Sequence, residues 1–193
     1  MSSATGHGTG DIAVGSLLLA SPALLDPNFV DTVVLLLDVN DEGALGVVLN
    51  RPSALPVSEV LGEWGDVVDE PEVLFQGGPV STDGALAVAL ASPDGLDSAG
   101  FKAMWGRIGL LDLDTPRELV DGTVDRLRIF AGYAGWGAGQ LQAEVAEGSW
   151  YVVPGLVDDV FAGEVPDLRR QVLRRQPGDL AMHATRPADP ELN

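Results

Sequence analysis

A chain of 193 residues with a formal net charge of -18, 46% hydrophobic and 21% charged residues, is long enough for one substantial core and balanced as a globular domain. Its acidity, with Arg51 the only lysine or arginine before Lys102, argues against tracking a phosphate backbone, and the lack of cysteine excludes disulfides, thiolate metal sites and cysteine nucleophiles. No apolar run approaches the ~18 residues of a membrane helix and no signal peptide is visible, so the expected setting is cytoplasmic, with no membrane partner.

Residues 1–11 read as a flexible tail, 12–178 as a single domain and 179–193 as a second tail. Within the domain, "GSLLLAS" predicts a buried strand, "PALLDPN" a turn, and "VDTVVLLLDV" a second, fully buried strand. "NDEG" at 40–43 then supplies turn chemistry and "ALGVVLN" returns, which makes an early antiparallel hairpin with Gly43 suited to positive φ. Val57, Val60, Leu61 and Trp64 share one side of a short amphipathic helix.

"PEVLFQG" and "GALAVALAS" predict two more strands, followed by "ASPDGLDSAGFKAMWG" as a loop and "RIGLLDLD" as a strand. Thr115, Pro116 and Glu118 match a capping box at the start of a helix. "DRLRIFAGYAG" reads as a strand that hands over at its glycines to the helix "GQLQAEVAE", closed by Gly148. "SWYVVPG" is a further strand, and "GLVDDVFAG" and "DLRRQVLRRQ" end the domain as helices, with Asp158 and Asp159 on a solvated face. Strands and helices interleave around an antiparallel hairpin, so the fold class is α+β, α/β-like, with a large mixed β-sheet and short helices packed on it.

Five segments in this order, "GSLLLASPALLDPNF", "VVLLLDVNDEGALGVVLNRP", "FQGGPV", "RIFAGYAGWGAGQLQAEV" and "WYVVPG", make the chain resemble the YqgE/AlgH family of bacterial proteins over 15–176. The resemblance implies a compact α/β or α+β domain with a large mixed sheet, and no particular reaction. Some members carry a transcriptional-regulator label, but no helix-turn-helix is evident here and the charge is wrong for direct DNA binding.

Candidate ligand-binding residues come from four places. In "GYAGWGAG", Tyr133 and Trp136 flank either an opening onto helix N–H groups, lined by Gly135 and Gly137, or a tight corner in which the aromatics are core. Trp136 is expected to be partly exposed, because Gly137 and Gly139 leave little side chain to cover it, and methyl groups added at Gly135 or Gly137 are expected to obstruct backbone approach. Arg51, after Asn50 and before Pro52, offers a planar fork for a carboxylate or phosphate, or else an internal ion pair with one of the many acids, for instance Asp26 or Asp38. Gln76, Gly77 and Gly78 either expose N–H groups to an anion or let two strands pass closely. Asn28, between Asp26 and Phe29, can satisfy a turn while Phe29 anchors it.

Catalytic sets are poorly supported: the only histidines are His7 and His183, G-x-S-x-G is absent, and the glycines fit neither dinucleotide nor P-loop spacing. No metal or cofactor is expected. The arginines of "DLRRQVLRRQ" are expected to pair with acids on the body or a neighbouring subunit rather than with nucleic acid. The preferred reading is a non-catalytic domain that binds a small molecule or a protein, with a possible indirect regulatory role. The rival is an enzyme acting on an anionic substrate, with Arg51 as the binding cation and Asp26 as acid or base.

Overall fold

The computed structural model describes residues 10–185; most of each tail read at 1–11 and 179–193 lies outside them, as do His7 and the side chain of His183. Ten strands form one curled, largely antiparallel sheet: β1 Ser16–Ala20, β2 Val33–Asn40, β3 Gly43–Val48, β4 Pro52–Pro56, β5 Val73–Gln76, β6 Val80–Ala91, β7 Phe101–Trp105, β8 Ile108–Leu111, β9 Val124–Gly137 and β10 Trp150–Pro154. The main path runs β10-β1-β2-β3-β9-β6-β8-β7, and β5 joins it through β9 in the one parallel pairing among the described residues. The sheet is thus mixed, as expected, and the hairpin β2–β3 closes through Asp41 and Glu42, with Asn40 opposite Gly43.

Period-2 alternation sends successive side chains of the sheet into separate clusters. Leu17, Leu19, Val33, Leu35, Val47, Phe75, Val88 and Phe130 form a first cluster with Val160 and Phe161, at the end of α4 Val157–Val160, and with Leu168, Val172 and Leu173 of α5 Leu168–Arg174. In a second cluster, Leu18, Val34, Leu36, Val48, Trp136, Trp150 and Val152 pack with Leu141 of α3 Gln140–Ala146. A third cluster, including Ala87, Ala89, Leu127 and Ile129, is covered by Val57, Trp64 and Val120 from α1 Val57–Val60, the turn after it and α2 Arg117–Val120.

Four local expectations change. The helix read over Val57–Trp64 breaks at Leu61, where φ -130 separates one helical turn from a 3-10 turn at Gly62–Trp64. Pro116 takes the N-cap position of α2 with extended backbone and no side-chain cap, so Thr115 does not form the capping box. The loop read before Gly106 contains β7, whose exposed Lys102 and Ala103 hide the strand signal at the end of the sheet. Finally, the glycine-rich stretch is strand and not corner, because β9 runs on to Gly137 and the turn falls at Ala138 and Gly139.

Candidate functional site

The residues after β3 act as a clamp. Asn50 accepts the Val33 N–H at its Oδ1 and donates from Nδ2 to the Asp31 carbonyl, both at 2.9 Å. Arg51 donates from Nη1 to the Asn28 carbonyl at 2.7 Å and from Nη2 to the carbonyls of Pro27 at 3.1 Å and Val30 at 3.0 Å. The ion pair to Asp26 or Asp38 does not form, because the loop points its carbonyls at the fork while Asp26 accepts the Asn28 N–H at 2.9 Å. The clamp delivers Phe29 between two tryptophans, 6.1 Å from the Trp136 ring and 5.6 Å from Trp150. Arg51→Ala is therefore expected to cost about 1–2 kcal/mol and to raise amide exchange at Phe29, Val30 and Val33, and Arg51→Lys is expected to restore little because one ammonium does not reproduce the fork.

The two glycines after Gln76 make a strand crossing. Gln76 N–H donates to the Arg51 carbonyl at 2.8 Å, Gly77 N–H to Ala131 at 2.9 Å, and the Gly77 carbonyl accepts Val48 N–H at 2.9 Å. A Cβ on Gly77 would overlap the Gly132 carbonyl, and one on Gly78 the Tyr133 carbonyl. The segments "NRP", "QGGP" and "GYAG" meet through backbone contacts that bind β3, β5 and β9 together.

Gly132, at φ 76, changes the phase of β9. Across from it Ser81–Gly84 loops out, so that Ala131 pairs with Ala85 and Tyr133 with Val80. Phe130 joins the first cluster before the irregularity; after it Tyr133 does, and Ala134 and Trp136 join the second. Tyr133 and Trp136 therefore lie on opposite faces and do not flank one opening. Trp136 is also not partly exposed: it is 6% accessible, enclosed by Phe29 and by Trp150 at 6.0 Å, since cover comes from the distant loop instead of its glycine neighbours.

What stays open is the other face of the same segment. Gly135 and Gly137 are exposed, and pair with Leu45 and Gly43 of β3. A Cβ on Gly135 would meet only Tyr133 Cε2 at 3.7 Å and one on Gly137 only Gln140 Oε1 at 3.9 Å, so a methyl there would obstruct no backbone of this chain. Gly43, by contrast, has φ 147 and no room for a Cβ beside the Trp136 carbonyl. Beside this strip an open concavity of about 200 Å³ is lined by Asp38, Asn40, Glu42, Gly43, Ala44, Leu45 and Trp136. Gln140 Oε1 accepts the Gly137 N–H at 3.0 Å, so the last N–H of β9 is not free for a ligand.

The AlgH-like family model matches residues 17–181. The chain belongs to the AlgH-like family. A UPF0301 protein of Streptomyces coelicolor is 55% identical over 183 residues, spanning 93% of this chain and 94% of its own, and one of Mycobacterium leprae is 44% identical over 186 residues, spanning 94% and 91%. Among solved structures, protein DIP2367 from Corynebacterium diphtheriae superposes with a TM-score of 0.86 at 30% identity, over 92% of this chain and 94% of that one. The AlgH protein from Pseudomonas aeruginosa gives 0.66 at 28% identity over 93% and 97%.

Sequence reasoning passed over the most heavily buried cation among the described residues of this AlgH-like domain. Arg128 is 1% exposed, donates to the carbonyls of Val160 at 3.2 Å, Ala162 at 3.0 Å and Glu70 at 2.7 Å, and lies 4.3 Å above the Phe75 ring. Burial pushes it down to about 10, against the pull of Asp69, so it remains charged at neutral pH. Arg126, two residues before it, pairs with Asp69 at 2.7 Å and donates to the Phe161 carbonyl at 3.1 Å. The available signal was "DRLRIF", two arginines on one face of an otherwise apolar strand. Asp159, read as solvated, is 5% exposed: it accepts the Leu156 N–H at 2.8 Å and pairs with Arg175 at 2.6 Å. Arg169 donates to the Ala20 carbonyl at 2.7 Å, and burial lowers its pKa. Among the described residues no group of three or more His, Cys, Asp or Glu gathers to hold a metal, and no helix is long and apolar enough to cross a membrane.

Proposed function

We propose that this AlgH-like domain is a non-catalytic binding module whose contact surface is the open strip of Gly135, Gly137, Gly43 and Leu45 beside Tyr133. One observation carries the reading: folding does not demand glycine at Gly135 or Gly137, where φ is ordinary and a Cβ would find space. Glycine in a strand interior costs roughly 0.5–1 kcal/mol relative to alanine. A bare backbone surface, open to close approach, offsets that cost if something flat lies on it.

The other candidates support the surface from behind. Asn28, Asn50 and Arg51 hold the loop that seats Phe29, and Gln76, Gly77 and Gly78 lock β5 to β9. The enzyme reading loses ground for the same reason, since Arg51 spends its fork on three carbonyls and Asp26 accepts the Asn28 N–H. We place the module in the cytoplasm, with any regulatory effect exerted through a small molecule or protein instead of DNA, in keeping with a net charge of -18.

The test is a pair of screens on the full chain: a metabolite panel read by thermal shift, and a random peptide library read by enrichment. Each is repeated on the double variant Gly135→Ala, Gly137→Ala. The double variant is expected to fold with unchanged or higher stability, by up to about 2 kcal/mol, and to lose ligands that the parent binds. Ligands that bind parent and variant equally, or no ligand in either screen, would overturn the strip as the site.

A further inference from the structure

Building on that surface, we infer that its partner is an extended protein segment carrying an arginine, laid along β9 with the arginine side chain crossing β3 to the β2–β3 hairpin. The register defines the geometry. Asp38, Leu45 and Gly135 sit side by side on β2, β3 and β9, and Asn40, Gly43 and Gly137 form the next row. Strands are about 4.8 Å apart, so a chain lying over Gly135 and Gly137 is about 10 Å from the Asp38 backbone. An extended arginine side chain and the Asp38 side chain together bridge that gap.

Each part of such a side chain meets suitable chemistry. The aliphatic stem would cross Leu45, which is half-buried and packs against the first cluster. The head would then enter the concavity shared by Asp38 and Glu42. A register shift between Leu36 and Asp38 brings Asp38 to this face and leaves it exposed. Among the described residues Asp38, Asp41 and Glu42 form no ion pair, and Asn40 Oδ1 accepts the Glu42 N–H at 2.8 Å.

Charge complementarity thus selects a cation, and the shape selects its type. A planar guanidinium takes two carboxylates through fixed N–H directions and stacks on flat peptide or aromatic faces, whereas an ammonium does neither as well. Tyr133, whose ring edge reaches toward Gly135, adds an aromatic wall to the strip at one end. The absence of side chains at Gly135 and Gly137 lets the partner's backbone come down to van der Waals contact.

The experiment uses the full chain and fluorescein-labelled octapeptides of alanine, glycine and serine that differ at one central residue: arginine, lysine, citrulline or glutamate. Anisotropy is expected to rank arginine about fivefold or more above lysine, with citrulline and glutamate weaker still. Asp38→Asn with Glu42→Gln is expected to weaken the arginine peptide about tenfold, and Gly135→Ala with Gly137→Ala at least as much. Neutralising Asp114 and Asp158, exposed elsewhere, is expected to leave it unchanged. Equal binding of lysine and arginine peptides, equal sensitivity to the distant acids, or no binding of any peptide would overturn the inference. If ligands from the random library need Gly135 and Gly137 but neither an arginine nor the hairpin acids, the strip stands as a site and the cationic partner falls.

Discussion

Replacing Arg128 with alanine is expected to destabilise the fold by about 3–5 kcal/mol in chemical denaturation, one of the two largest single-residue effects anticipated here. The side chain is a buried cation without a bonded carboxylate; its partners are three carbonyls, from Val160, Ala162 and Glu70, and the face of Phe75. Two of those carbonyls lie at and just after the C-terminal end of α4, where a positive charge is favourably placed. Alanine would leave all three without their donor and open a cavity beside Phe75. Arg128→Met refills most of the volume but not the hydrogen bonds, so a loss of about half that size is expected. A loss under about 1 kcal/mol for alanine would mean that water or a backbone shift re-satisfies these carbonyls, and that Arg128 does not fasten the α4 layer to the sheet.

Trp136→Ala is expected to cost about 3–5 kcal/mol, the range of large aromatic truncations in cores. Trp136 stacks on Phe29 with an interplanar angle of 28° and meets Trp150 edge-on at 78°, so truncation removes two aromatic contacts as well as buried area. Trp136→Phe keeps part of both contacts and should lose substantially less. The same experiment separates the two faces of β9: truncating Trp136 lowers stability, whereas filling Gly135 or Gly137 leaves stability intact and alters binding. A cost of about 1 kcal/mol or less for Trp136→Ala would return the residue to a surface role.

The sequence by itself determined what depends on neighbours along the chain. Short continuous apolar runs in "SLLLA", "VVLLLDV" and "WYVVP", the turn "NDEG" and the stop at Gly148 are local signals, and they yielded the hairpin, most strands, α3 and the mixed sheet. The five motif segments were enough to point to the AlgH-like family. The exposed edge strand β7 escaped because Lys102 and Ala103 give it no buried alternation to read.

Tertiary structure alone decided which residues of the site are scaffold and which are surface. The phase change at Gly132 depends on the chain looping out at Ser81–Gly84 in a different strand, and it puts Tyr133 and Trp136 on opposite faces. Arg51 chose backbone carbonyls over Asp26 or Asp38 because a loop more than twenty residues away in sequence aims them at its fork. Glycines that look alike in sequence separate into those pressed against another backbone, Gly43, Gly77, Gly78 and Gly132, and those facing open space, Gly135 and Gly137. Close packing is a property of what lies across the gap, and a one-dimensional pattern carries no record of it.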